Sequence, residues 1–211
     1  MNTKIKPDES VLVVGGQPLD DVTARIRRYC GLAWNGRAPE TWAYRYYDMI
    51  DSDPHAIAPV DVLAASSLHP GLSRDDLAWF WDHARELTEW VNGFPTSAAL
   101  ATADDSTVER LGELAELFDG VALSLLTKVV HRKRPHLVPL IDRELIDWFR
   151  PATGERRAVS AWQPILRHLR ADLAFNAAQL TDTSAALDAV LGRPLSHIRL
   201  IDIAIWMGGQ R

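Results

Sequence analysis

The sequence has few of the residues that define several common classes of protein. Cys30 is its only cysteine, so neither an intrachain disulfide nor a cysteine-rich zinc site is possible. No apolar run approaches the roughly 20 residues that a membrane span needs, and no apolar core follows the first lysines as it would in a signal peptide. We therefore predict a soluble, cytoplasmic chain with no membrane partner, in which Cys30 acts as a small buried hydrophobe.

The common catalytic and nucleotide-binding motifs are missing as well. The seven histidines show no HExxH spacing, and the sequence contains no GxSxG. The two phosphate-binding patterns, GxxxxGK[ST] and GxGxxG, are also absent. We expect no metal site and no bound cofactor, and any chemistry must come from less regular clusters of residues.

The residues that are present predict an all-α fold. With 211 residues and 47% hydrophobic content the chain can bury a full core, and we take residues 1–211 as one domain. The β-branched run 11–14 before two glycines predicts a short N-terminal strand or arm, and the remainder predicts an irregular helical bundle. The predicted helices cover about 20–30, 38–50, 59–69, 74–92, 106–118, 121–133, 139–149, 159–178, 183–191 and 195–207.

The helix predicted at 74–92 carries a polar and aromatic stripe beside its apolar one. Trp79, His83, Glu86 and Trp90 are spaced by four, three and four residues, so they share one side of the helix. The two indoles could stack a flat ligand while the histidine and the glutamate exchange a proton with it. The alternative, which we favour, is a contact between helices in which His83 and Glu86 pair.

A cluster of cations ends another predicted helix, in the segment HRKRPHLVPLID at 131–142. Arg132, Lys133 and Arg134 lie next to His131, and Lys128 precedes them by about a turn. These cations could simply satisfy the carbonyl groups at the helix C-terminus. Four of them, counting Lys128, fall within seven residues, which is more than a cap needs. The pattern therefore also predicts a site for a phosphate or a carboxylate.

Two aspartates lie where a carboxylate needs a partner. Pro139 suits the first turn of the next helix, which places Asp142 near the N-terminal end of that helix, where the dipole favours an ionised carboxylate. Asp202 lies in a final helix that is apolar on nearly all sides, so its burial would be costly without a neutralising group. Arg199, three residues earlier, predicts a structural ion pair.

These segments resemble two families. GVALSLLTKVVHRKRPHLVPLIDREL, with DVLAASSL and RLIDIAIWM, resembles an uncharacterised actinobacterial family of all-helical proteins, a domain of unknown function, which implies no activity. More distantly, 114–149 resembles the helix-hairpin-helix segment of the HhH-GPD DNA glycosylases. By that resemblance Gly120, Val121 and Ala122 match the hairpin and Asp142 matches the catalytic aspartate. No lysine occupies the place of the nucleophile in the bifunctional members, so the resemblance implies that water attacks and that no covalent imine forms.

Two main functional hypotheses remain open, and the sequence does not decide whether either includes catalysis. The first is a glycosylase-related protein that binds a nucleic acid, a nucleotide or a phosphorylated small molecule. It would use Asp142 and Lys128 as catalytic candidates and the cluster from His131 to Arg134 as anion contacts. The second is a small-molecule enzyme or binding protein whose pocket is lined by the aromatic stripe and by the WAYRYY segment at 42–47. A protein-protein module without chemistry is a third possibility.

Overall fold

A β-hairpin begins the part of the chain that the structure describes. The structure is a computed structural model, and it describes residues 11–32, 43–69 and 71–209. Strand β1 (Leu12–Val14) pairs antiparallel with β2 (Gln17–Leu19). Between them Gly15 and Gly16 have φ angles of 60° and 73°, a region that glycine adopts without steric cost. The strand predicted at 11–14 is therefore present, whereas β2 was not predicted.

Side chains from the helical part of the protein bond to the outer edge of β1. The N–H of Val13 donates to Asn176 Oδ1 at 3.0 Å, and Asn176 Nδ2 donates back to the Val13 carbonyl at 2.7 Å. The N–H of Gly15 donates to Asp172 Oδ2 at 2.8 Å. Pro18 lies opposite Val13 in β2 and has no N–H of its own. One buried amide thus occupies the outer edge of β1.

The all-α fold class is confirmed, since helices form nearly all the regular structure of the described residues. A π-helical turn covers Tyr44–Asp48 and a 3-10 turn covers Leu100–Thr102. The α-helices of the described chain are α1 Val22–Tyr29, α2 Pro59–Ser66, α3 Arg74–Asn92, α4 Asp105–Gly112, α5 Leu114–Leu117, α6 Leu123–His131, α7 Arg143–Thr153, α8 Ala158–Phe175, α9 Ala177–Asp188 and α10 His197–Gly209.

Several predicted helix boundaries were wrong. In the helix predicted at 38–50, the first residues lie outside the described ranges and Tyr44–Asp48 is a π-helix. The helix predicted at 106–118 is divided into α4 and α5. Helix α7 begins at Arg143 and not at Pro139, because Asp142 has extended backbone and caps the helix by accepting a hydrogen bond from the N–H of Leu145 at 2.8 Å.

Helix α10 forms the centre of the core. It packs against α1, α7 and α9, and its residues are buried on nearly every side. Helix α8 packs against α4, α7 and the 3-10 turn, and its fully buried Trp162 donates its Nε1–H to the Leu111 carbonyl at 2.8 Å. Cys30 is buried as expected, and burial raises the pKa of its thiol to about 12. Within the described ranges no helix is both long and apolar enough to cross a membrane.

Candidate functional site

A cavity of about 470 Å³ opens between α10, the ends of α1 and α2, and the starts of α6 and α7. This volume lies within the range of sites for small molecules. The cavity brings together Lys128 and Asp142, the two catalytic candidates that the sequence places fourteen residues apart. The other polar side chains in its lining come from five helices or their ends, and they are Tyr29, Ser67, His69, Ser124, Arg143, Glu144, Arg199 and Asp202.

Lys128 is buried in the wall of the cavity and is poorly paired. Its side chain lies on α6, and the residue is only 3% exposed. Nζ donates one hydrogen bond, to the carbonyl oxygen of Ser124 in the preceding turn, at 3.1 Å. Among the described residues no carboxylate lies within ion-pair distance of Nζ. Burial lowers the pKa of Lys128, although the charges of Asp142 and Asp202 act in the opposite direction.

Asp142 reaches the cavity because it is the N-cap of α7. Its Oδ1 accepts the hydrogen bond from Leu145, which fixes the carboxylate at the start of the helix. No protein donor in the described ranges bonds to Oδ2. The sequence placed Asp142 near this helix end, and the structure places it at the cap itself. One carboxylate oxygen therefore remains available to a bound molecule.

A buried network centred on Arg199 forms the floor of the cavity. The guanidinium contacts Asp48 with two donors, Nε to Oδ1 at 2.8 Å and Nη2 to Oδ2 at 3.0 Å. It also pairs with Asp202, which confirms the ion pair predicted from their spacing, and it donates to the hydroxyl of Tyr29 at 2.6 Å. Burial raises the pKa of Asp202 to about 7 despite this pairing. The Asp202 carboxyl can therefore gain or lose a proton near neutral pH.

Arg132 and Lys133, which the sequence predicts as anion contacts, point into the protein. Arg132 donates from Nε to Asp61 Oδ1 at 3.1 Å and from Nη1 to the Tyr47 carbonyl at 2.5 Å. Lys133 Nζ donates to Asp61 Oδ2 at 2.5 Å and to Ser52 Oγ at 2.6 Å. Both cations thus share one buried carboxylate on α2, a partner that the sequence did not identify.

The two other residues of the cluster are also satisfied internally. Arg134 donates from Nε to the Phe94 carbonyl at 2.7 Å and from Nη1 to the Pro54 carbonyl at 2.8 Å. His131 is buried, and its Nδ1 lies 2.6 Å from the Val138 carbonyl, so that nitrogen carries the proton. These contacts fasten the loop before α2 and the end of α3 to α6. Each cation of the segment therefore has an acceptor inside the protein, while His131 and Arg132 also line a smaller pocket with Arg193.

The aromatic stripe of α3 lies away from the cavity. Trp79 stacks on His83 with their ring centres 4.3 Å apart, and its Nε1 donates to the Asp119 carbonyl at 2.8 Å. Trp90 makes an edge contact with Phe118, and Glu86 is exposed. The two indoles of the stripe therefore pack against the segment between α5 and α6. None of its four residues lines the cavity, and the pairing of His83 with Glu86 is not among the hydrogen bonds or ion pairs of the described residues.

Sequence reasoning missed several residues of the site. Tyr29, His69, Asp48 and Trp206 carry no local pattern that distinguishes them from ordinary helix residues, and only the fold brings them to one place. Asp202 did carry a signal, since a lone carboxylate in an apolar helix needs a reason to be there. Across the described ranges, no three His, Cys, Asp or Glu side chains come close enough to share a metal ion.

The chain belongs to DUF6308, a family of unknown function, whose model matches residues 22–209. This range contains every residue that lines the cavity and excludes the β-hairpin. No curated protein and no solved structure matches the chain. The family match includes no link to the DNA glycosylases.

Proposed function

For this member of a family of unknown function, we propose that the protein is an enzyme acting on a small polar molecule in the cavity around Lys128. Lys128 and Asp142 are its catalytic residues. The observation that carries the proposal is the burial of the Lys128 amine without an ionic partner. Lysine is almost never fully buried unless it is paired. Lys133 follows that rule in the same helical region, and Lys128 does not.

The chemistry follows from the state of the amine. Because burial lowers the pKa of Lys128, a larger fraction of the amine is neutral near pH 7 than in an exposed lysine. A neutral amine can take a proton from a substrate, as a general base does. The free oxygen of Asp142 can accept a hydrogen bond from the substrate or stabilise a positive charge that develops on it. Asp202 can supply a proton, because its pKa is about 7.

The size and lining of the cavity define the class of substrate. A volume of about 470 Å³ accommodates a metabolite and not a nucleic-acid duplex. Hydroxyl, imidazole, amine and carboxyl groups line one part of it, and Trp206 with Ile203 supplies an apolar part. We therefore expect a molecule with several polar groups and a short carbon skeleton.

A second candidate is a glycosylase-related activity on a nucleotide or a nucleic acid. It is supported by Asp142, which lies in the cavity at the start of a helix, where the hairpin resemblance puts the catalytic aspartate. In this reading a single extruded nucleoside enters the cavity, and the carboxylate stabilises a sugar cation while water attacks. The inward direction of Arg132, Lys133 and Arg134 makes this the weaker candidate.

The first test measures the protonation of Lys128 directly. Trace acetylation of the folded chain from about pH 6 to about pH 11, with free N-acetyl-lysine amide as the internal reference, gives the titration midpoint of each amine. We expect the midpoint of Lys128 to lie below that of the reference compound. A midpoint equal to the reference would overturn the assignment of Lys128 as a base.

The second test asks whether the cavity binds small molecules. Thermal shifts are recorded with sugars, sugar phosphates, oxo acids and nucleosides, for the wild-type chain and for Lys128→Met and Asp142→Asn. We expect stabilisation by a compound of one class, and its loss in both variants. Glu86→Gln is the matched control, because Glu86 is exposed on α3 outside the cavity. A compound that stabilises all four proteins equally would place its site elsewhere.

A further inference from the structure

We infer that Lys128 forms a covalent imine with an aldehyde or a ketone that enters the cavity. The inference rests on the proposed function and narrows its substrate class to carbonyl compounds. It departs from what the hairpin resemblance implies, because that resemblance implies water as the nucleophile.

The contrast between two buried lysines supports this inference. Lys133 is 2% exposed, and its ammonium donates to the Asp61 carboxylate, to Ser52 Oγ and to the Asp53 carbonyl. All three donors of a protonated amine are therefore used. Lys128 is buried to the same extent, but it donates a single hydrogen bond, to the Ser124 carbonyl of its own helix. An ammonium ion there would leave two N–H groups without a protein acceptor among the described residues.

A neutral amine fits the geometry at Lys128 better than an ammonium ion does. It needs fewer acceptors than the ion, and it retains a lone pair. The residue also lines a cavity large enough for a small molecule, whereas Lys133 lies in no such cavity. A lysine that is desolvated beside a substrate cavity is the arrangement that activates an amine as a nucleophile.

The proposed step balances without any redox partner. The lone pair of Nζ attacks the carbonyl carbon, a C–N bond forms, and the carbonyl oxygen takes a proton to give a carbinolamine. The nitrogen then loses a proton, the hydroxyl group gains one, and the C–O bond breaks to release water. The nitrogen lone pair completes the C=N double bond, so the product is the protonated imine of Lys128, and hydrolysis reverses the sequence. This protonated imine withdraws electrons from the adjacent carbon, so bonds to that carbon can break.

Two carboxyl groups in the lining can transfer the protons of this step. Asp142 and Asp202 line the same cavity and interact with the charge of Lys128. Asp202 is itself held by Arg199, so its position is fixed. Asp142 is fixed by its cap hydrogen bond. Two carboxyl groups in fixed positions therefore line the same cavity as the amine before any substrate arrives.

Reductive trapping tests the imine. The full chain is incubated near neutral pH with glyceraldehyde or with pyruvate and cyanoborohydride, beside free N-acetyl-lysine amide, and modified amines are located by peptide mass mapping. The chain has four lysines, Lys4, Lys6, Lys128 and Lys133, so the map is simple. We expect Lys128 to be modified faster than the reference compound, because its lowered pKa raises the fraction of the amine that is neutral and nucleophilic.

Lys133 is the control within the same molecule, and it should remain unmodified. Lys128→Arg should give no adduct in α6, and its melting curve shows whether the variant is folded. If neither carbonyl compound modifies Lys128 while its acetylation midpoint is still low, the imine is wrong and the acid–base function stands. An acetylation midpoint of Lys128 equal to that of the reference compound would overturn both the imine and the acid–base function. Equal modification of Lys128 and Lys133 would also overturn the inference, because simple reactivity with the reagent would then explain the adduct.

Discussion

Asp61 is the residue on which the buried cations depend. Its two oxygens accept hydrogen bonds from Arg132 Nε, Lys133 Nζ, Ser52 Oγ and the N–H of Ala58, and the residue has no exposed surface. Burial raises the pKa of Asp61, but the hydrogen bonds from Lys133, Ser52 and Ala58 outweigh it and lower the pKa overall. The carboxylate is therefore the charged centre that allows two cations to lie inside the protein.

Removal of the Asp61 charge should strongly destabilise the folded protein. We expect Asp61→Asn to lower the free energy of unfolding by about 3–5 kcal/mol, because Lys133 and Arg132 would then be buried without a counter-charge. Urea denaturation followed by circular dichroism measures the change. Asp51→Asn is the matched control, since the Asp51 carboxylate is fully exposed in its pair with Arg193. Such surface pairs contribute about 1 kcal/mol or less. Equal losses in both variants would contradict the role of Asp61.

The buried His131 makes the free energy of unfolding depend on pH, in a direction that follows from its lowered pKa. Burial lowers the pKa of His131 to about 4 from an ordinary value of 6.5. Between those two values the unfolded chain binds a proton that the folded protein excludes, so the contribution of His131 makes stability rise with pH across this window. Asp202 acts oppositely, because its pKa is raised to about 7 from 3.8 and the stability it contributes is lost as pH rises through that range.

A variant separates the two contributions. Relative to wild type, His131→Gln should remove about 3 kcal/mol of the rise in unfolding free energy between about pH 4 and about pH 6.5. Arg199, Asp48 and His136 also affect His131 electrostatically, and they are present in both proteins. Urea denaturation at several pH values provides the measurement. His55→Gln, at an exposed position, should leave the slope unchanged. A slope in His131→Gln that equals the wild-type slope would contradict this account.

At the scale of a single element, the N-cap residue of α7 combines two roles. Asp142 caps the helix through Oδ1 and leaves Oδ2 free at the cavity. Asn is as good a cap as Asp, whereas Ala cannot cap. We expect Asp142→Ala to cost about 1 kcal/mol of stability and Asp142→Asn to cost less than about 0.5 kcal/mol. Both changes should slow the trapping of a carbonyl compound at Lys128, because the lost proton transfer by Asp142 outweighs the larger neutral fraction of the amine that follows from removing the Asp142 charge.

The cap of α4 is the matched control for this element. Asp104 accepts a hydrogen bond from the N–H of Thr107 at 2.8 Å. It is not among the residues that line the cavity. Asp104→Ala should destabilise the protein and leave the reactivity of Lys128 unchanged. If Asp104→Ala slows trapping as much as Asp142→Ala does, the effect at Asp142 comes from lost stability and not from its carboxylate.

The elements show which boundaries the sequence encodes locally. The range predicted for α3, 74–92, matches its observed bounds, because Ser73 and Asp76 form a capping box and Gly93 follows the last turn. Helix α7 was misplaced because proline at the first turn and aspartate at the cap are both valid start signals, and only packing decides between them. The π-helical turn at Tyr44–Asp48 has no sequence signature that we recognise, and Arg132 contacts the carbonyl of Tyr47 within it.

At the scale of the whole molecule, the distribution of charge limits the choice of partner. The formal net charge is -5, and Arg132, Lys133 and Arg134 are held by internal acceptors. We therefore expect the affinity for a DNA duplex to be weak, with a slope of log affinity against log salt smaller in magnitude than about 2. Four phosphate contacts from the basic segment would give about -3 to -4. Fluorescence anisotropy with a labelled duplex measures this slope, and a value near -4 would favour the second candidate function.

Sequence reasoning named two residues of the candidate site and did not predict the partners of the cations beside them. Lys128 and Asp142 were named from a local segment, and the fold does place both at one cavity. The neighbouring cations were named for the same reason, but their direction depends on Asp61, which lies about seventy residues earlier in the chain. Tyr29, His69 and Asp202 come from three other elements. A pattern confined to one segment cannot predict which of its charged side chains will meet a partner from a distant helix.

The hydrogen bonds between the Asn176 side chain and β1 affect whether a second copy of this protein can pair with that strand. An unpaired strand edge offers N–H and C=O groups that a second chain can use to extend the sheet, and such edges lead to aggregation. Here the side chain of Asn176 imitates a peptide group and bonds to both the N–H and the C=O of Val13, while Asp172 takes the N–H of Gly15. In the described part of β1 the groups of Val13 and Gly15 that would pair with a further strand are therefore already bonded within the chain, which opposes sheet extension by a second copy at these residues.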